Sequence, residues 1–429
     1  MSELKPFTVI ENDGDENPII YHYPIKADGI KRLAKIRLCE AFKVVGYGID
    51  RAGTYYHVIQ YGNNEHCLIA RGDVGTNEGW RTLRNVINIP SQRRKLDLLT
   101  EYIQDQKHQE YWTIVDTAGW HNDVYILPNG EIIGQTDNIY FNGHIAEDKR
   151  RAYREKGTLA DWQSQIGVYA GGNSRLCLLL GAAFAAPLMQ WLNIEGGIIH
   201  IYGNSTGGKT TFQQCAQSVW RHGKNANEDW DSTAYALTNT AAACNDGLLS
   251  LDEISKDYSG RNVGDAIYAI ANGKGRTRGS LDKGNRPTVR FRVLGISSGE
   301  TDLATHLVNH GQAVMAGQLV RCPGIPHQFE THHDFPSFAS LANHLNKAVI
   351  DHYGVAGRAY LTVLTDDVEH WKQKAIEVFN THLQQLQNTY QLNAQTARTA
   401  RLFVQQQWQD YRLLANVKFC QFGKMKDLR

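Results

Sequence analysis

Residues 196 to 210 run Gly196-Gly197-Ile198-Ile199-His200-Ile201-Tyr202-Gly203-Asn204-Ser205-Thr206-Gly207-Gly208-Lys209-Thr210, and this stretch decides the fold. Its first half is a short apolar run, bounded by glycines and rich in branched side chains, with the length of a buried strand. Its second half fits the pattern G-x4-G-K-[ST] and leads into a helical run, Thr211 to Trp220. Glycines at these positions let main-chain N–H groups turn inward around a phosphate, and the N-terminus of the following helix adds positive dipole. Lys209 is placed to reach the outer phosphates of a nucleoside triphosphate, and the Thr210 hydroxyl to ligate Mg²⁺. The expected nucleotide cradle is therefore Gly203, Asn204, Ser205, Thr206, Gly207, Gly208, Lys209 and Thr210, with the adjoining Thr211.

Hydrolysis also requires a carboxylate for the metal and a base to polarise water. Gly247-Leu248-Leu249-Ser250-Leu251-Asp252-Glu253 offers both, as an apolar strand ending in paired acids. Asp252 is assigned to Mg²⁺ and Glu253 to the attacking water, the plain alternative being two solvated acids at a strand end. Arg292 to Glu300 reads as a further buried strand ending in Ser297 and Ser298, either of which would lie near the terminal phosphate in a parallel sheet. Between these strands, Asn272 to Arg292 hold seven basic residues, Lys274, Arg276, Arg278, Lys283, Arg286, Arg290 and Arg292, against the single acid Asp282. Basic residues alternating with small ones predict a hairpin with a cationic tip suited to nucleic-acid phosphates, with Lys274, Arg276, Arg278 and Lys283 as its contacts. A solvated loop or a subunit surface is the alternative.

Outside this region, residues 1 to 157 mix short β-like runs with turns, such as Thr54 to Tyr61 and Val124 to Leu127 before Pro128-Asn129-Gly130. They read as an N-terminal α+β domain, closed by the charged stretch Glu147 to Gly157. Residues 158 to 330 form the expected α/β core, and 331 to 429, with Phe338, Leu341, Leu345 and Val349 on one face, an α-helical lid. Asp116-Thr117-Ala118-Gly119 has the form of a GTPase D-x-x-G but precedes the phosphate loop, so it reads as a turn. His327, His332 and His333 with Asp334 lack a second ligand cluster and read as a polar loop.

The 429 residues carry 45 Lys and Arg against 44 Asp and Glu, so any attraction to nucleic acid must be local. The 7 cysteines are scattered without a CxxC spacing and no apolar leader follows Met1, which together point to a reducing, cytoplasmic setting. Leu176 to Ile194 is uncharged over nearly the length of a membrane span. Pro187, Gln190 and Asn193 within it favour a buried helix, and no membrane partner is expected.

The order of strand, phosphate loop, helix, acidic strand, helix with basic hairpin, polar-ended strand and helical segment resembles the AAA+ ATPases. The nearest clade carries a hairpin before its sensor-1 strand and includes the MCM-like replicative helicases. Thr117-Ala118-Gly119-Trp120-His121, Ala182 to Leu188, Ser218-Val219-Trp220, Asn245-Asp246-Gly247-Leu248-Leu249, Ala271 to Gly275 and Ser297 to Glu300 look more closely like the domain of unknown function 927 family. Its members occur in prophages and mobile elements, and relatives in mobile cassettes are hexameric helicases. The resemblance spans Tyr111 to Leu402; the first hundred residues resemble no named family.

This resemblance implies an AAA+ P-loop ATPase core with a parallel sheet flanked by helices, using ATP and Mg²⁺. It also implies assembly as a homo-oligomeric ring, a hexamer, acting on single- or double-stranded DNA. Carried over by position, Gly203, Gly208, Lys209 and Thr210 are Walker A, and Asp252 and Glu253 are Walker B. Ser298 or Ser297 stands at sensor 1, where many AAA+ proteins have asparagine. Arg321 is the arginine-finger candidate, and Arg398 the sensor-2 candidate, with Arg401 and Arg358 as rivals.

Past Phe403, family members continue with an alanine-rich helix and a further domain, whereas this chain reads Val404-Gln405-Gln406-Gln407-Trp408. CAG repeats read as glutamine in one frame and alanine in another, so a frameshift that shortens the lid is one reading of the departure. Two rival functions stay open: a nucleotide-gated defence or regulatory scaffold without strand translocation, and an inactive truncated remnant.

Overall fold

The apolar run ahead of the phosphate loop is a strand, buried from Gly197 to Ile201, and it lies inside a parallel sheet. The computed structural model describes residues 5–12, 18–26, 31–106, 110–143, 146–205, 207–224, 228–257, 260–275, 279–280, 284–285 and 289–404. Four expected site residues, Thr206, Arg276, Arg278 and Lys283, lie outside the described residues, as does the stretch from 405 onward with its glutamine run.

Numbered in chain order, the strands of this sheet are β1 (Gly197–Tyr202), β2 (Glu228–Asp229), β3 (Gly247–Asp252), β4 (Val293–Gly299) and β5 (Gly324–Pro326). They stand side by side as β2-β3-β4-β1-β5, all parallel. Parallel neighbours need crossovers, and these include helices α1 (Lys209–Ser218), α2 (Arg261–Asn272) and α3 (Ala316–Arg321). Successive side chains of β1 serve opposite faces. Ile199 and Ile201 join Phe212, Leu180 and Leu294 in one apolar cluster, while Ile198 joins Leu249, Leu251, Ile267 and Ile270 in another. Burial on both faces explains why β1, β3 and β4 read as continuous apolar runs.

The C-terminal part is helical, with α4 (Phe338–Asp351), helices Val355–Asp366 and Val368–Tyr390, and α5 (Ala394–Val404). Leu402 of α5 rests on Gly197, where an added Cβ would lie 2.6 Å from Leu402 Cδ1. The uncharged run from Leu176 contributes to helix Ser174–Ala185 and a 3₁₀ turn at Ala186–Met189, packed inside the first cluster. Among the described residues, no helix is long and apolar enough to cross a membrane.

The chain divides into two compact units, one of residues 1–116 with 136–142, the other of 117–135 with 143–429. This differs from the boundary expected at 157. Strand Ile139–Phe141 returns to the first unit to pair in parallel with Glu110–Val115. The charged stretch instead belongs to the second unit, where Ala152 accepts a hydrogen bond from the His222 N–H at 2.8 Å. The first unit holds a five-stranded mixed sheet and a three-stranded antiparallel one. Helices Asn77–Arg84 and Arg93–Gln104 contribute Leu83, Leu99 and Ile103 to a core shared with Val44 and Ile59.

At the N-terminal ends of β3 and β4, two segments distant in sequence are tied into one knot. Asp246 is buried, and its carboxylate accepts from Asn245 Nδ2 at 3.0 Å and from the Trp120 N–H at 3.4 Å, with Arg292 Nη1 at 3.5 Å. Its carbonyl accepts from Tyr125 Oη at 2.7 Å, and its N–H donates to the Arg292 carbonyl at 2.6 Å. Gly119 has φ +98, and an added Cβ there would lie 2.5 Å from Asp246 Oδ2, so this approach requires glycine. Burial pushes the Asp246 carboxyl up to about 6, opposed by Arg292.

Candidate functional site

All five strands are parallel, so their C-terminal ends lie together, the usual position for ligands in such sheets. The phosphate loop leaves β1 at this end. Gly203 has φ +154 and Gly208, the N-cap of α1, has φ +85, both outside the range favourable to other residues. A side chain at Gly208 would also run into the Phe329 ring. Lys209 is buried, and its Nζ donates to the carbonyls of Gly203 and Asn204, each at 2.8 Å. The lysine thus braces the loop from within, with Asn204 and Ser205 exposed at its tip. Thr210 is exposed on the first turn of α1. Thr211 differs from expectation: it is buried, and its hydroxyl is directed away to Asn346 Oδ1 of α4 at 3.2 Å.

One side chain sets the register between this helix and the acidic strand. Gln213 Nε2 donates to Ser250 Oγ at 2.7 Å and to the Leu251 carbonyl at 2.9 Å. Thr210 lies three residues before Gln213 on the same helix face, and Asp252 lies two residues after Ser250 on the same strand face. The bond therefore aligns Thr210 with Asp252 across the sheet end. Asp252 is half-buried, and its Oδ1 accepts from Ser298 Oγ at 3.0 Å. Ser298 in turn accepts from the Glu253 N–H at 3.2 Å.

Glu253 has φ 48, a left-handed conformation that costs a non-glycine residue on the order of 1 kcal/mol or more. Ser255 meets its carboxylate with Oγ at 2.7 Å and N–H at 3.3 Å. Lys256 approaches the same corner, 2.6 Å from Asp229 and 3.9 Å from Asp252; the Asp229 hydrogen bond raises its pKa. A hydroxyl and a carboxylate at the mouth of a loop of main-chain N–H groups are a donor set that fits a divalent cation beside a polyphosphate.

The two serines of β4 are now distinguishable. Ser298 joins the acids, whereas Ser297 is buried between His200 Nδ1 at 3.1 Å and Trp230 Nε1 at 2.9 Å. Burial lowers the His200 pKa, which suits a neutral ring spanning Ser297 and the Thr301 carbonyl. Sequence reasoning also passed over a group on the far side of the loop. His327 donates its main-chain N–H to the Tyr202 carbonyl at 2.7 Å, and its Nε2 is 2.6 Å from the Gly207 carbonyl. His333 points elsewhere, with Nε2 3.3 Å from the Tyr169 carbonyl, so these histidines do not converge.

The arginines stand apart from the loop. Arg398 forms an ion pair with Glu195, just before β1 begins, so it lies at the opposite end of the strand from the phosphate loop. Six residues of strand place the two roughly 20 Å apart, which removes Arg398 from the nucleotide cradle of its own chain. Arg401 is in the same pocket, over the Phe379 ring at 5.2 Å. Arg321 also lines that pocket, with Nη2 3.3 Å from Asn272 Oδ1 and its guanidinium over Tyr268. Arg358 is bidentate to Glu131, at 2.8 and 2.5 Å. The basic segment forms a hairpin: Lys274 bridges Arg290, and Gly279–Ser280 pairs antiparallel with Gly284–Asn285.

The family model described as a domain of unknown function (DUF927) matches residues 20–290, more than half the chain. The match begins well ahead of Tyr111, so it takes in most of the N-terminal segment that resembled nothing by inspection. No curated protein matches. A solved structure titled "SCCmec type IV Cch - active helicase" aligns over 92% of this chain and 73% of that chain, with 16% identity and a TM-score of 0.69. At that identity the likeness is one of fold. The apo C-terminal region of NrS-1 (12% identity, TM-score 0.34, 86% of this chain and 87% of that one) is too distant to carry an argument. The same holds for a JCV helicase (11%, 0.24, 48% and 64%).

Proposed function

The chain belongs to the domain of unknown function 927 family, and from that premise we propose that it is an ATP-hydrolysing AAA+ motor acting on DNA. Its probable role in this reading is that of a replicative-type helicase in a prophage or mobile element, assembled as a homo-oligomeric ring. The carrying observation is the convergence of Ser298, Asp252 and Glu253 beside the loop that Lys209 braces. The fold shared with a protein titled an active helicase supports the same reading.

The triphosphate draws the Lys209 ammonium from two main-chain carbonyls to its own outer oxygens, while the loop N–H groups hold the inner phosphates. Thr210 and Asp252 would hold Mg²⁺, which when bound neutralises charge on the β- and γ-phosphates. Glu253 orients and deprotonates the water that attacks the γ-phosphorus. Ser298, bonded to both acids' residues, links their position to β4 and so to the hairpin that precedes it. Arg321 acts on a neighbouring subunit's phosphates, and Lys274, Arg276, Arg278 and Lys283 grip the DNA backbone.

Lys209→Ala tests the assignment. It is expected to abolish ATP binding or hydrolysis while leaving the thermal unfolding profile cooperative. Normal turnover in that variant would sink the site.

A further inference from the structure

Resting on the nucleotide reading above, we propose that Phe329, His332 and Phe338 form an aromatic shelf that receives a purine base. Its occupant is the base of the nucleotide whose phosphates bind Gly203 to Thr210. The direction of the nucleotide follows from the sheet order. β3 and β4 lie on one side of β1, and β5 lies on the other. The acids that act on the terminal phosphate, Asp252 and Glu253, follow β3. A triphosphate reacting on that side leaves its sugar and base to extend toward the β5 side.

The chain after β5 is fastened to the loop at that point. His327 grips the Gly207 carbonyl, and the Phe329 ring covers Gly208. Phe329 is fixed edge-on against Phe212 of α1, with centroids 4.6 Å apart and planes at 71°. Phe338, the first residue of α4, lies 5.3 Å from Phe329 at a tilt of 32°, and His332 meets it edge-on at 5.3 Å and 79°. A phenylalanine supported by two rings yet 41% exposed is shaped to stack on something not supplied by its own core. Every base offers a stacking face, but the larger purine covers more of a two-ring shelf.

The test separates base from phosphate. Calorimetric titration of the full chain with a non-hydrolysable ATP analogue, the corresponding CTP analogue and tripolyphosphate, all with Mg²⁺, is expected to rank ATP tightest. Stacking contributes about 1–3 kcal/mol per base, so Phe338→Ala should weaken ATP binding by about tenfold or more. Tripolyphosphate affinity should be unchanged, which also certifies the fold. Phe338→Trp should retain ATP affinity, and Phe338→Leu, which keeps apolar bulk without a ring, should not. Unchanged ATP affinity in Phe338→Ala would overturn the shelf, as would equal losses for ATP and tripolyphosphate. Failure of the unaltered chain to bind either ligand would instead remove the phosphate-loop reading, and the shelf with it.

Discussion

Two acids with left-handed backbone bracket the same strand: Asp246, at φ 52, precedes β3, and Glu253, at φ 48, follows it. Asp246 is 4% exposed and held by groups from three separate segments. Glu253 is half-buried, anchored through its N–H to Ser298, and its carboxylate is met within its own turn by Ser255. The same conformational cost serves different ends. At the N-terminal edge of the sheet it closes a buried knot; at the C-terminal edge it presents a carboxylate where a water can be reached. The contrast identifies the C-terminal edge as the reactive one without reference to any motif.

The comparison breaks first at Asp246. Burial raises this carboxyl from its unfolded value of 3.8 to about 6, so the native state binds the proton more tightly than the unfolded state. Its contribution is fully present below the unfolded value and is lost as pH rises through 6. Relative to Asp246→Asn, the unaltered chain should therefore gain about 1–1.5 kcal/mol between pH 7 and pH 5. Urea unfolding across that range checks the sign, and parallel stability profiles would remove the account of the knot.

A smaller effect is expected at the other charged pair on this edge. Arg398 and Glu195 are largely open to solvent, so Arg398→Ala should cost less than about 1 kcal/mol. Its ATP affinity, measured by calorimetry on the dilute protein, should match that of the unaltered chain. A large loss would place this arginine at the phosphates after all.

The reactive edge was legible because its signals are local. Strand, loop and helix follow one another in fifteen residues or so, and Asp252-Glu253 and Ser297-Ser298 each end an apolar run. What escaped detection is built from residues far apart in the chain. The Asp246 knot joins positions 126 residues apart, and the His327 bond to Gly207 spans 120. The sensor-2 assignment to Arg398 failed for a related reason: helical spacing shows that a residue is on a helix, and only the packing of Leu402 on Gly197 shows which end of the sheet that helix meets. The division at residue 116 was hidden because strand Ile139–Phe141 rejoins a sheet that the chain had already left.

ATP turnover with and without single-stranded DNA, compared between the unaltered chain and Glu253→Gln, tests the central claim most directly. Loss of a positioned base typically costs about 10²–10⁴-fold. The expected result is DNA-stimulated hydrolysis that falls by that factor in Glu253→Gln while ATP binding persists. Turnover equal in the two proteins would contradict the assignment of the reactive edge, and turnover indifferent to DNA would contradict the motor.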